Sequence, residues 1–356
     1  MGKISFESWR QQATFHNPLH GGRSVTQEIE VRVDPLTGHQ SVFNSALEDK
    51  VSILFPETDH HYAAQRAEET SRTCFLCEGR WKETTPRYPS ELIPEGRIVR
   101  GETVLFPNLF PLSAHHAVVM VGNLHYRQLN DFPPSLLHDA LSVSLDFIRR
   151  CHAAAPHTAF FTINANYLPP AGASVVHPHL QILGSPRPGT HHRVLLEASR
   201  DYAQKNGANY WLDLVEAEWE AGLRNIGTIE DSRWITAFSP IGANEVNAVW
   251  PQREHFLEWT DEDVRAMAEG LSHILQGCHE MGCSTFNFSC FSGPLGVATP
   301  EFRCMLRFVN RQNLMPHHRT DDYYFQKLLR NEIMVRRPET LAELFRRHFH
   351  RAAPAD

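Results

Sequence analysis

The chain reads as an α+β protein made of two similar halves, and three observations predict that class. First, an order of strand, strand, helix, strand, strand runs from about residue 98 to about residue 185 and recurs about 130 residues later. Second, apolar residues at helical spacing mark the middle of the repeat, as at Leu137, Ala140, Leu141, Leu145 and Ile148. Third, 356 residues with 42% hydrophobic and 21% charged side chains suffice for one large or two ordinary domains with a substantial core.

The elements follow in order. Residues 1–97 form a polar lead-in, 98–200 the first half and 201–356 the second. Residues 27–33 alternate, with Ile29, Val31 and Val33 on one face, which predicts a strand. Asp34, Pro35, Leu36, Thr37 and Gly38 then form a turn, and the proline-rich stretch 84–94 is a loop. Strands are expected at 103–106 and 116–121, with a helix from Pro133-Pro134 to about Ala155, since proline is accepted in a first turn. Strands at 159–164 and 175–183 complete the unit. In the second half 234–240, 245–250, 285–289 and 302–309 answer these strands, and a helix is expected after Asp261. Where the first copy has His177 and His179, the second reads Arg303-Cys304-Met305-Leu306-Arg307. It offers no nucleophile, so one catalytic centre per chain is expected.

Composition excludes several classes. The formal charge of −7 argues against a nucleic-acid surface. No run of 18 apolar residues exists, so no membrane-spanning helix is expected, and residues 1–9 lack the apolar core of a signal peptide. Seven cysteines, five of them scattered singly, suit a reducing cytoplasm better than a disulfide framework.

The stretch 171–181 carries the chemistry: Ala-Gly-Ala-Ser, two valines, then His177, Pro178, His179, Leu180 and Gln181. On a strand, His177, His179 and Gln181 would share one face. The small-residue turn before them can bring backbone N–H groups to an anion. An imidazole could then attack phosphorus while a polar neighbour and the loop amides hold phosphate oxygens. The alternative is a strand with two solvated histidines. Cys74 and Cys77, two residues apart, are a zinc signal, with a redox pair or two buried thiols as alternatives.

Asn166, Gly172, Ala173, Ser174, His177, Pro178, His179 and Gln181, at this spacing, resemble the active-site signature of the galactose-1-phosphate uridylyltransferases, members of the histidine-triad superfamily. The resemblance is dense from 73 to 185, thin before it and diffuse to about 348. It implies two fused histidine-triad-like halves, with antiparallel sheets and packed helices. It implies that His179 attacks the α-phosphorus of a nucleotide ester to form a covalent nucleotidyl-histidine, and that a second phosphate then takes the nucleotidyl group. Gln181 would hold a non-bridging oxygen. A glutamine cannot give up a full proton, which favours transfer between phosphates over hydrolysis.

The resemblance also implies a structural Zn2+ held by Cys74, Cys77, His125 and His177, with His115 and His116 as rivals for the third ligand. Asn166, Gly172 and Ser174 would be phosphate- and ribose-side contacts, with turn chemistry the alternative for Asn166 and Ser174. Asn108 would face the nucleoside or be a turn asparagine. Glu332 would hold sugar hydroxyls or be a helix-face carboxylate. The implied partners are a nucleotide sugar or other nucleotide and a phosphate acceptor, with a UDP-sugar and a sugar 1-phosphate as default. A homodimer is a further implication, and neither nucleic acid nor membrane is a partner.

The sequence departs from the family in three ways. Residues 40–47 lack the basic side chains that follow the early hairpin, so phosphate charge falls to Arg303, Arg307, Arg311 or Lys327. The second copy has no His-x-His for a second metal. The acceptor segment matches loosely. Adenylyl transfer, phosphorolysis or hydrolysis of a nucleotide conjugate or dinucleoside polyphosphate, and nucleotide binding without catalysis therefore stay open.

Overall fold

The computed structural model describes residues 4–48, 50–317 and 319–349. The first residues of the N-terminal segment, 1–3, lie outside the described residues. β1 (Ser8–Asn17) and β2 (Arg23–Val33) form a long antiparallel hairpin, and β3 (Gln40–Asn44) continues it. The intervening turn is held by Asp34, whose Oδ1 accepts from Thr37 N–H at 2.7 Å. The sequence marks β2 by its alternation but not β1, because nearly all of β1 is exposed on both faces and carries no alternating pattern. Helical turns α1 (Ser45–Glu48) and α2 (Val51–Leu54) precede α3 (His60–Ser71), which Asp59 caps by accepting from Tyr62 N–H. The short α4 (Trp81–Thr84) follows.

The first half contains β4 (Ile98–Arg100), β5 (Thr103–Pro107), β6 (His115–Met120), α5 (Pro134–Ala154), β7 (Phe160–Tyr167) and β8 (His179–Ser185). α6 (Thr190–Asn206) and α7 (Tyr210–Ala221) connect it to the second half. That half repeats the order as β9 (Asn225–Ile229), β10 (Ser232–Thr236), β11 (Ala243–Val249), α8 (Asp261–Glu280), β12 (Phe286–Phe291) and β13 (Met305–Asn310). The described residues end in α9 (Tyr324–Lys327), β14 (Asn331–Met334) and α10 (Pro338–Phe349).

The two halves share one sheet. Its ten strands run β4-β5-β6-β8-β7-β12-β13-β11-β10-β9, antiparallel at every step, and the halves join where β7 pairs with β12. β14 returns to pair in parallel with β3 in the smaller sheet, so the last strand closes onto the N-terminal hairpin.

α5 and α8 pack on each other and on one face of the large sheet. Alternation in β7 makes that contact: Phe161, Ile163 and Ala165 are buried in the core, while Thr162, Asn164 and Asn166 are half-buried on the opposite face. α8 starts at a capping box in which Thr260 and Asp263 satisfy each other's backbone N–H. Gly270 lets α8 cross close to Trp234, because a Cβ there would lie 2.0 Å from the indole ring.

The opposite face is treated differently in the two halves. In the second, Leu195, Tyr210 and Trp211 of α6 and α7 pack on Ile235, Phe302 and Met305. Met305 opens β13 as His179 opens β8, and it is fully buried in that apolar cluster.

Candidate active site

Pro178 divides the two histidines. It has no N–H to give to a ladder, and β8 begins only after it. Residues 174–177 are a bend, so His177 is not on the strand face expected to carry it with His179 and Gln181. Instead the His177 side chain turns to the cysteines and His179 starts the strand.

Cys74, Cys77, His125 and His177 form a cluster that could hold a metal ion, their ligand atoms all within 4.8 Å of one another. Cys77 Sγ is 3.2 Å from His125 Nδ1 and 3.4 Å from His177 Nδ1, and Cys74 Sγ is 3.9 Å from His177 Nδ1. Tetrahedral zinc would hold sulfur and nitrogen about 3.6 Å apart. The outer contacts fit as well. His177 Nε2 donates to Gly122 O at 2.9 Å, which leaves Nδ1 as the lone-pair atom. Thr70 Oγ1 gives its proton to Arg66 O, so at 2.8 Å it accepts from His125 Nε2 and likewise frees that ring's Nδ1. Burial, then the neighbouring Cys74, pushes the Cys77 thiol up to about 12; a cation would reverse that preference. His115 and His116 are not in the cluster. His115 stacks on Phe161, and His116 faces Gln181.

His179 is buried, 9% exposed, and its Nδ1 lies 2.9 Å from His177 O. A carbonyl only accepts, so Nδ1 carries the hydrogen and Nε2 holds the lone pair. Nε2 has no hydrogen-bond partner among the described residues. Burial holds the ring below the usual imidazole range, which keeps it neutral.

Gln181 is oriented by a residue whose task the sequence does not disclose. Leu112 N–H donates to His116 Nδ1 at 3.0 Å, so His116 carries its hydrogen on Nε2 and donates to Gln181 Oε1 at 2.9 Å. The Gln181 oxygen is thereby taken, and its NH2 is left for a ligand. Asn108 accepts from Phe110 N–H at 2.8 Å, the turn arrangement, with its NH2 group 3.2 Å from His116 Nε2.

Asn166 shares the site face and accepts from Asn287 of β12. Gly172 is exposed with φ +91°, a conformation that favours glycine, and a Cβ there would meet nothing within 4 Å. The Gly172 and Ala173 N–H groups close the turn onto Pro169 O and Leu168 O, so they are not free for an anion as the sequence suggested. Ser174 is exposed and bonds to none of the described residues.

Three cavities that share lining residues lie near this face, and His179 and Gln181 line none of the three. One of about 670 Å³ is lined by Asn164, Ser289, Arg307, His191 and Arg187, and Asn164 is the cross-strand neighbour of Gln181. A second of about 590 Å³ and a third of about 210 Å³ both reach Glu332. Glu332 sits on β14, not on a helix, and is 9% exposed. Burial pushes its carboxyl up to about 7 against hydrogen bonds from Gln326 and Ile333 N–H. Of the cations expected to meet phosphate, Arg307 lines the largest of these three cavities and Arg311 the smallest. Arg303 donates to Pro251, Pro300 and Phe302 carbonyls, Arg311 is gripped by Asp321, and Lys327 pairs with Asp322.

No protein-family model matches the chain. An uncharacterized protein of Archaeoglobus fulgidus is 28% identical over 330 residues, covering 92% of this chain and 94% of its own length. Among solved structures, an ADP-glucose phosphorylase from Arabidopsis thaliana with bound ADP-glucose superposes with a TM-score of 0.69 at 20% identity, over 92% of this chain and 99% of that one. A uridylyltransferase superposes at 0.65 and 17% identity, over 92% and 99%. The fold is therefore the one shared by the uridylyltransferases and ADP-glucose phosphorylase, as the histidine-triad resemblance implied.

Proposed function

We propose that the protein is a nucleotidyltransferase that moves a nucleoside monophosphate between phosphates through a covalent adduct on His179. The observation that carries this reading is the state of that ring: Nδ1–H is tied to a carbonyl and Nε2 is unshared. In the first step Nε2 attacks the α-phosphorus of a nucleotide sugar. The bond to the bridging oxygen breaks, and the sugar phosphate leaves with the electron pair. In the second step an oxygen of a phosphate acceptor attacks the same phosphorus and the N–P bond breaks. The Gln181 NH2 group donates to a non-bridging oxygen as charge gathers there, with Asn166 and Ser174 as further phosphate- and ribose-side contacts and the side-chain-free Gly172 leaving room beside them. Asn108 lies on the nucleoside side, and Glu332 takes sugar hydroxyls at the cavities it lines.

A structural Zn2+ held by Cys74, Cys77, His125 and His177 would neutralise the two thiolates and lock the bend before β8. His177 links that site to the nucleophile, because its ring belongs to the cluster while its carbonyl orients His179. Seven free cysteines support a reducing, cytoplasmic setting.

A UDP-sugar with a sugar 1-phosphate acceptor is the default pair. Likeness to a structure that binds ADP-glucose supports a second reading, phosphorolysis of an ADP-sugar by inorganic phosphate. Intact-protein mass spectrometry under non-acidic conditions tests both, after brief incubation with UDP-glucose or ADP-glucose. The expected result is added mass of one nucleoside monophosphate, absent in His179→Ala; the base then names the donor. Normal turnover in His179→Ala would overturn the mechanism.

A further inference from the structure

The second half has no catalytic histidine, yet it reaches the reaction centre across the seam. We propose that Asn287 of β12 is a positioning residue that fixes the Asn166 amide and the Ala171 carbonyl of the first half. This rests on the nucleotidyl-transfer reading for its catalytic consequence.

The antiparallel register sets Asn287 opposite Asn166. Its Nδ2 donates to Asn166 Oδ1 at 2.7 Å and to Ala171 O at 2.9 Å. Its Oδ1 accepts from Arg311 Nη1 at 2.9 Å. Arg311 is held in turn by both oxygens of Asp321, at 2.8 and 2.5 Å. A guanidinium has donors only, and the two first-half partners are oxygens. Reversing the Asn287 amide would therefore break all three contacts at once.

The consequence passes to the site. With its oxygen occupied, Asn166 keeps an NH2 group that bonds to none of the described residues. Pairing of Ala165 with Leu180 makes His179 the next cross-strand neighbour of Asn166. Asn166 therefore offers a donor beside the nucleophile, as Gln181 does on the same strand face. The second contact pins Ala171, the end of the turn Pro169–Ala171, just before Gly172, Ala173 and Ser174. One side chain thus sets a donor and anchors a loop, and the chain Asp321–Arg311–Asn287 gives the half without a catalytic histidine a part in the reaction. Preorganised donors of this kind act because they need no reorientation as charge develops.

Asn287→Asp tests this at nearly constant volume. A carboxylate still pairs with Arg311 but has no hydrogen to give, so it repels Asn166 Oδ1 and Ala171 O. The Asn166 amide should turn over and present oxygen to the phosphate. Arg311→Met is the second variant, leaving Asn287 intact but unfixed. Two readouts are needed. Hydrogen–deuterium exchange of residues 168–176, without substrate, should rise in both variants. The single-turnover rate of adduct formation from UDP-glucose or ADP-glucose should fall about 10-fold or more in Asn287→Asp. In an Asn166→Ala background the same change should cost less than about 3-fold, since the two residues act as one unit. Unchanged exchange and rate would overturn the proposal, as would an equal loss in the Asn166→Ala background. If the unaltered protein forms no adduct with either donor but exchange still rises in the variants, the nucleotidyl-transfer reading falls while the loop anchor stands.

Discussion

At the scale of single residues, the site depends on which way amides and imidazoles face. His116 decides this for Gln181, because the Leu112 N–H forces its hydrogen onto Nε2. His116→Ala is expected to leave the fold intact, with a loss near 1 kcal/mol, and to slow adduct formation about 10-fold as the Gln181 amide loses its fixed sense. Thermal denaturation and single-turnover kinetics on one preparation check both halves of that statement. Glu332 gives a pH test. Its carboxyl is raised to about 7 in the fold, mainly by burial, so ionising it costs stability that is absent below the unfolded value near 4.5 and fully felt above pH 7. Glu332→Gln should therefore stabilise the protein at pH 8 relative to pH 5, by about 1–3 kcal/mol, read from denaturation at the two pH values. If Glu332 binds acceptor hydroxyls as a carboxylate, acceptor KM should fall as pH rises through 7 in the unaltered protein and stay flat in the variant. The sequence singles out His179, Gln181 and the cysteines because their spacing is short. It does not pair His116 with Gln181 or Asn287 with Asn166, because those contacts follow from strand register across the sheet, which spacing along the chain does not encode.

At the scale of elements, the repeat was legible where strands alternate and helices carry an apolar stripe. β5 to β8 and β10 to β13 fall near their expected places. β1 was not, since a polar strand exposed on both faces has no alternation to read. The start of β8 was misplaced for a different reason: Pro178 lies inside an otherwise strand-like run and delays the ladder to His179. That delay matters, because the bend before the strand carries His177 into the cysteine–histidine cluster. Chelation or Cys77→Ser should release the bend. The expected outcome is a thermal midpoint lower by about 5 °C or more and a slower adduct-forming step. Elemental analysis should find one zinc per chain before chelation and none after. An adduct rate unaffected by complete metal loss would sever the link between the cluster and His179.

At the scale of the whole molecule, the two halves of one sheet put the same face to opposite uses. The first leaves Gln181 beside Asn164, which lines a cavity; the second covers Met305, the equivalent of His179, with α6 and α7. Arg307, at the place of Gln181, is 9% exposed and lies 2.9 Å from Glu245 Oε1, with Nη1 2.9 Å from His191 Nε2. Burial raises the Glu245 carboxyl and Arg307 pulls it back. Taking away the guanidinium leaves a buried carboxylate with no counter-charge. Arg307→Met is therefore expected to cost about 3–5 kcal/mol, and Arg307→Met with Glu245→Gln to recover most of it, because the second change removes the stranded charge. The sign with pH follows from the same carboxyl. In Arg307→Met its folded pKa rises further above the unfolded value, so the neutral form is favoured in the fold and the loss of stability grows as pH rises. Denaturant midpoints at pH 5.5 and 8 should show the larger deficit at pH 8, and the double variant should show little difference between them. A deficit independent of pH, or one not relieved by Glu245→Gln, would mean that Arg307 stabilises through its packing and its bond to His191 rather than by balancing Glu245.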